Sequence, residues 1–160
     1  MGEDSRYLLL MGCSERKFQN PDLVPAIDLY DGVNYRVVRK ARQEGYWPDA
    51  QVVILSAKHG LIGSQAFIEH YDQRMTPQRA LALQQQVGAE LDALLAQHQF
   101  DGVFVNLGKN YLLALTASQE LPQLRERACF AHGGIGERMA QMKGWLIRMA
   151  QEGGEPKGRG

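Results

Sequence analysis

Two cysteines in 160 residues, Cys13 and Cys129, are too few and too far apart for a disulfide framework or a zinc knuckle. An excess of charge of either sign is missing too. Eighteen basic residues meet eighteen acidic ones, for a formal net charge of zero at pH 7. A protein that grips duplex nucleic acid through many phosphates shows a basic surplus or a concentrated basic face, so any nucleic-acid role here rests on a local patch. No apolar run approaches the length of a membrane span, which argues against a membrane partner. The opening MGEDSRYLLLMG starts too acidic and has too short an apolar run to read as a signal peptide, and the expected location is the cytoplasm. GxSxG, P-loop and HExxH patterns are lacking as well, which argues against serine hydrolases, Walker-type NTPases and zincins. No repeat and no linker divides the chain. One α/β domain over residues 1–151 is expected, followed by a flexible tail at 152–160.

What is present is an ordinary globular composition, 44% hydrophobic and 22% charged. Continuous apolar runs at residues 6–11 (RYLLLM), 51–55 (QVVIL), 103–107 (VFVNL) and, more weakly, 128–130 (ACF) predict strands buried on both faces. Helical patterns lie between them. Residues 35–43 carry Val37, Val38 and Ala41 on one side and stop before Gly45. Residues 76–97 open with Thr76 as cap and Pro77 at the first helical position, and then repeat apolar residues at helical spacing. A short helix is expected at 111–116 and a last one at 136–150, whose Met139, Met142, Leu146 and Met149 read as core packing. Strands alternating with helices predict a three-layer α/β domain, with a mainly parallel sheet of about four strands and helices on both faces. Right-handed crossovers then bring the strand C-termini to one edge, where such folds bind ligands.

Each predicted strand empties into an unusual loop: GCSERK (12–17), SAKHGLI (56–62), GKNY (108–111) preceded by Asn106, and HGGIGER (132–138). Small residues with a cation, or histidine with glycine, recur at all of them, so the exits read as walls of one pocket. Arg16, Lys17, Lys58, Lys109 and Arg138 suit an anionic ligand. Gly133, Gly134 and Gly136 ahead of a helix suit a phosphate, which exposed amides and the helix dipole both favour. Tyr30, Tyr35, Tyr71 and Tyr111 offer stacking surface for a base. A nucleotide or nucleobase fits these features together, bound by Cys13, Ser14, Arg16, Lys17, Ser56, Lys58, Gly60, Tyr71, Asn106, Lys109, Tyr111 and the three glycines. If the site is catalytic, Asp72 or Asp28 is the candidate base activating water at a glycosidic carbon, with His59 as acid. Duller roles stand beside these: solvated loop lysines, a tight turn at HGGIG, and capping by Asp28. Arg36, Arg39 and Lys40 form the best local patch for the phosphates of DNA or RNA. No cofactor or metal is expected, because Cys13, His59, Cys129 and His132 share no ligand-pair spacing.

The segments GCSERK and PAIDLYDGVNYRVVRKA, together with GIGERM near the end, resemble a small uncharacterised bacterial and phage domain family. ILSAKHGLIGSQAFIEHYDQRM resembles the following block of that family, and more distantly a block of the YaaA-type peroxide-stress proteins. The positions matching the latter are Ser56, Gly60, Leu61, Tyr71 and Met75, while His70-Tyr71-Asp72 departs from its Pro-Tyr-Arg. This second resemblance implies a DNA partner under oxidative stress. A non-catalytic nucleic-acid-binding protein of stress response is therefore the alternative to the nucleotide reading.

Overall fold

Leu8, Leu9, Leu10 and Met11 are completely buried because the strand that carries them runs through the middle of a sheet. The structure is a computed structural model and describes residues 5–19 and 22–153. In it β1 (Tyr7–Gly12) lies between β3 (Ala50–Ser56) and β6 (Gly102–Asn106), parallel to both. The short β7 (Cys129–Phe130) extends the parallel sheet beyond β6, and β4 (Gly60–Gly63) turns back antiparallel on β3, giving the order β4-β3-β1-β6-β7. A separate two-stranded ribbon pairs β2 (Val24–Pro25) with β5 (Phe67–Ile68). The fold is mixed α/β with five mostly parallel strands, one more than expected. β4 and the ribbon escaped notice because runs of two to four residues containing Gly or Pro carry no periodic signal.

Alternation along the strands sends apolar side chains to two separate clusters. Leu9, Met11, Val52, Ile54 and Phe104 join one, with α2 (Val33–Glu44) and α6 (Ile135–Gly153) supplying Tyr35, Val38, Met142, Trp145 and Leu146. Leu8, Leu10, Val53, Leu55, Val103 and Val105 join the other. There they meet Leu83, Val87 and Leu91 of α3 (Pro77–Gln97), Ala114 of α4 (Lys109–Ala114), and Leu121 and Leu124 of α5 (Leu121–Arg127). A further turn, α1 (Ala26–Leu29), packs Ala26, Ile27 and Leu29 into the first cluster. Thr76 caps α3 as expected, its Oγ1 accepting from Arg79 N–H at 3.1 Å. Two boundaries differ in ways that matter. α2 starts two residues before the expected Tyr35, and α6 runs on through Gly153, so residues 152 and 153 are helical. The rest of the expected tail, 154–160, lies outside the described residues. No helix among the described residues is long and apolar enough to cross a membrane.

The connections fix where the sheet opens. From β1 the chain crosses to β3 by α2; from β3 it returns past β1 to β6 by α3, in the opposite cluster. Strand order therefore reverses between β1 and β6, and the carboxyl ends of these two strands flank a crevice.

Gly88 in the middle of α3 gives a test of the packing. Glycine inside a helix normally loses to alanine by about 1 kcal/mol. Here an added Cβ would sit 2.8 Å from the Ala117 carbonyl carbon and 2.9 Å from Ser118 N, both backbone. Gly88→Ala is therefore expected to destabilise by about 1–3 kcal/mol, the cost of overpacking. Urea denaturation checks it, and a stabilised variant would contradict the close α3 approach.

Candidate functional site

The crevice between β1 and β6 is a cleft of about 230 Å³. Gly12, Cys13 and Ser14 line it from the end of β1, Asn106 and Gly108 from the end of β6, and Gly32, Val33 and Asn34 from the start of α2. Tyr35, Tyr111, Ile135 and Arg138 complete the lining. Gly32 packs closely on Ser14: a Cβ there would stand 2.7 Å from its Oγ, which would have to turn away. Tyr35 lies under the floor and donates its hydroxyl to Gly12 O at 2.7 Å. The Tyr111 ring lies against Gly12, and its hydroxyl donates to Cys13 O at 3.2 Å while sitting 3.2 Å from Cys13 Sγ. That sulfur also accepts Ala57 N–H at 3.4 Å. Burial pushes the Tyr111 hydroxyl well above the usual tyrosine value, so it stays protonated.

Three buried polar atoms in this cleft have no partner among the described residues: Asn34 Oδ1, Asn106 Oδ1 and Arg138 Nε. Asn106 is only 3% exposed, and its one side-chain hydrogen bond among the described residues runs from Nδ2 to Met142 Sδ at 3.4 Å. Buried polar groups are nearly always satisfied, and three of the unsatisfied ones among the described residues sit on residues that line this cleft. A second cleft, about 320 Å³, adjoins the first and shares Cys13, Ser14 and Tyr111 with it. Its far side is Glu15, Gln73, Arg74, Met75, Thr76, Pro77 and Asn110, with Arg74 Nη2 bonded to Glu15 Oε2 at 2.6 Å.

Of the residues expected to bind ligand, Cys13, Ser14, Asn106 and Tyr111 thus come together. The others do not line this cleft. SAKHGLI is the β3–β4 hairpin: Ser56 pairs with Gly60 across the ladder, and Gly60 has φ +80°. Ser56 Oγ is buried, accepting the N–H groups of Lys58 at 3.1 Å and His59 at 3.0 Å and bonding Tyr71 Oη at 2.9 Å. Tyr71 bonds Tyr30 at 2.6 Å, and burial pushes the Tyr30 hydroxyl up to about 12. Lys17 lies 4.6 Å over the Tyr71 ring, and Lys58, exposed, 5.8 Å from it. Arg79 from α3 closes the turn by donating to Ala57 O and Lys58 O. Serine and glycine at this exit are accounted for by a pinned hairpin, whereas the His59 side chain keeps a buried Nε2 without a partner among the described residues.

At HGGIG, Gly133 takes φ +88° and Gly134 N–H donates to Glu137 Oε1 at 2.9 Å. A carboxylate of this chain already occupies the place where a phosphate was expected beside Gly133, Gly134 and Gly136. Lys109, the first residue of α4, is exposed. Asp28 and Asp72 are exposed and line neither cleft. The basic helix is partly neutralised. Asp31 accepts from Arg16 at 3.0 Å, Arg39 at 2.9 Å and Arg36 at 3.4 Å, while Lys40 pairs with Glu44 at 3.8 Å. Hydrogen bonding to Arg36, and then to Arg16, holds the Asp31 carboxyl below its ordinary value.

The residues missed from sequence include Gly32, Val33 and Asn34 in the first cleft and Glu15, Gln73 and Arg74 in the second. For the first three the signal was DGVN, a glycine directly ahead of the basic stretch; placing the helix start at Tyr35 left them in a loop.

His59 stands edge-on to Tyr71, 5.5 Å between ring centres. Burial, and then the Lys58 ammonium, hold its imidazole below the ordinary 6.5. As pH falls below that value the unfolded chain takes up the proton first, so stability present above pH 6.5 is lost on acidification through the folded-state value. His59→Gln should flatten Tm against pH below neutrality; an unchanged slope would remove His59 as its source.

Fold and site together define an α/β protein with a cleft at the switch point of a mostly parallel sheet. More particularly, the chain belongs to a family of unknown function (DUF6884), whose model matches residues 8–144, a span holding every residue of the β1/β6 cleft. No curated protein and no solved structure matches it.

Proposed function

We propose that this protein binds a nucleotide or nucleobase in the groove formed by the two adjoining clefts, on a three-layer α/β scaffold. The observation that supports this most is the set of unpartnered atoms in the first cleft, two amide oxygens and a guanidinium nitrogen. Their mixture of acceptors and a donor suits a ligand that carries both hydrogen-bond donors and acceptors, as a nucleotide does, better than an apolar ligand. The first cleft alone is below the about 300–1,000 Å³ usual for small-molecule sites, and the two together fall within that range.

Asn106 separates ligand binding from mere folding. Its Oδ1 is buried without a partner, so Asn106→Leu removes a desolvated group and should leave the ligand-free protein as stable or more so. The same change should abolish any rise in Tm caused by nucleosides or nucleotides. A thermal-shift panel of nucleosides, nucleotides and short oligonucleotides reads both. No stabilisation of the parent protein by any of them, or full stabilisation of the variant, would sink the proposal.

N-glycosidic hydrolysis or transfer is the catalytic extension of this reading. Glu15 is the one carboxylate among the described residues lining the groove, which favours it over Asp72 and Asp28 as the base. Release of free base from a stabilising nucleoside would carry that extension. A non-catalytic DNA- or RNA-binding protein of the YaaA-like, stress-response kind is the second reading. It is favoured by Arg16, Arg36 and Arg39 outnumbering Asp31 beside the cleft. It requires oligonucleotide binding that falls steeply with salt.

A further inference from the structure

Resting on the nucleotide reading, we infer that the β1/β6 cleft receives a terminal phosphate monoester of the ligand, held by the start of α2 and by Arg138, with the heterocycle extending past Cys13 and Tyr111 into the second cleft.

α2 is a 12-residue helix that begins at Gly32 without a side-chain cap and has no acidic residue in its first turn. Tyr35 and Arg36 N–H both turn back to Gly32 O, which leaves the first two amides, those of Val33 and Asn34, as the donors that intrahelical bonding does not use. Both residues line the cleft. The aligned peptide dipoles place partial positive charge at this end. Asp31 stands just ahead of it, but its carboxylate is turned into bonds with Arg16, Arg36 and Arg39.

The opposite side supplies a full charge. Arg138 rises from the first turns of α6 and reaches over Gly108, its Nη1 lying 3.8 Å from where a Cβ would stand. Among the described residues no carboxylate pairs with it, and none lines the cleft. A guanidinium whose Nε has no partner, on a residue lining the same cleft as the first residues of α2, is an arrangement that a phosphate satisfies with several charge-assisted hydrogen bonds. The independent sign of a ligand is Asn106, nine-tenths buried and more, with its Oδ1 unpaired in the same space. An amide oxygen beside the anion suits the protonated oxygen of a monoanion or the sugar hydroxyl next to the ester. The size of the cleft agrees with a phosphate and part of a sugar, leaving the base to the adjoining cleft.

Calorimetric titration of the protein with the four common ribonucleosides, their 5′-monophosphates and inorganic phosphate tests this. At least one monophosphate should bind about tenfold or more tighter than its nucleoside. Arg138→Gln should bring that monophosphate down to within about threefold of the nucleoside, weakening the monophosphate far more than the nucleoside. Val33→Pro provides the second variant. It deletes one cleft amide at the first helical position, where proline is well tolerated, and the extended Gly32 (φ −77°, ψ 170°) accommodates a following proline. It too should weaken the monophosphate selectively.

Equal affinity for nucleoside and monophosphate, or variants that weaken both alike, would overturn the phosphate placement and leave nucleotide binding standing. If neither class binds the parent protein, the nucleotide reading falls and the placement with it. A short oligonucleotide with and without its 5′-phosphate distinguishes the source. Binding that needs the 5′-phosphate and Arg138 assigns the same subsite to a strand end, and binding indifferent to both contradicts it.

Discussion

Trp145→Ala should lower the unfolding free energy by about 3–5 kcal/mol, the usual cost of deleting a buried indole together with the cavity left behind. For a chain of this size that is a fall in Tm of about 6–20 °C. Trp145 is 2% exposed and ties α6 to the sheet: its ring meets Tyr7 edge-on at 6.1 Å and Phe104 at 5.5 Å. Met142 and Leu146 flank it in the same cluster. Two turns earlier on the same helix stands Arg138, at the cleft. Loosening α6 should therefore also reduce nucleotide stabilisation, whereas Trp145→Phe, which keeps a ring against Phe104, should retain most of both. Calorimetric melting of the three proteins decides it. A loss under about 1 kcal/mol for Trp145→Ala would mean that α6 is not seated as described.

Ser56→Ala should cost about 2–3 kcal/mol although it removes a single oxygen. That oxygen accepts from two backbone amides, those of Lys58 and His59, and bonds Tyr71, which in turn holds Tyr30. Alanine leaves two donors of the turn and one buried hydroxyl short of a partner at once. Ser56→Thr, preserving the hydroxyl, should lose less unless its extra methyl cannot fit. The Tyr71→Phe variant tests coupling. If Ser56 and Tyr71 act as one unit, the double variant should cost less than the sum of the single ones. Strict additivity would show the hydroxyls to be independent.

How much of this could be read beforehand follows physical lines. The buried parallel strands were legible because both their faces are covered, so VVIL and LLLM are apolar without interruption. Thr76-Pro77 announced α3 because its cap and first-position chemistry is local. The antiparallel return at Gly60–Gly63 was not legible, since a hairpin set by Ser56 Oγ and a glycine at positive φ looks in sequence like any polar strand exit. For the site, all four exits were expected to share one edge because the strands were read as parallel. Residues of the first and third, with Ile135 and Arg138 from the fourth, line one cleft, while the second is a hairpin apart from it. The partners of individual charges were not legible. Glu137 filling the HGGIG amides, and Asp31 gathering Arg16, Arg36 and Arg39, depend on pairings that only the folded chain makes. The two-residue error at the start of α2 hid Val33 and Asn34, because Gly32 carries no side chain to mark a cap.

Both margins of the main sheet are stubs. On one side β4 offers four residues with glycine at each end, and on the other β7 offers two. A neighbouring molecule adding a strand would find almost no continuous row of free amides and carbonyls to bind. For a protein without formal net charge, and so without the repulsion a charge excess gives between copies, these blunt margins oppose edge-to-edge strand pairing in concentrated solution.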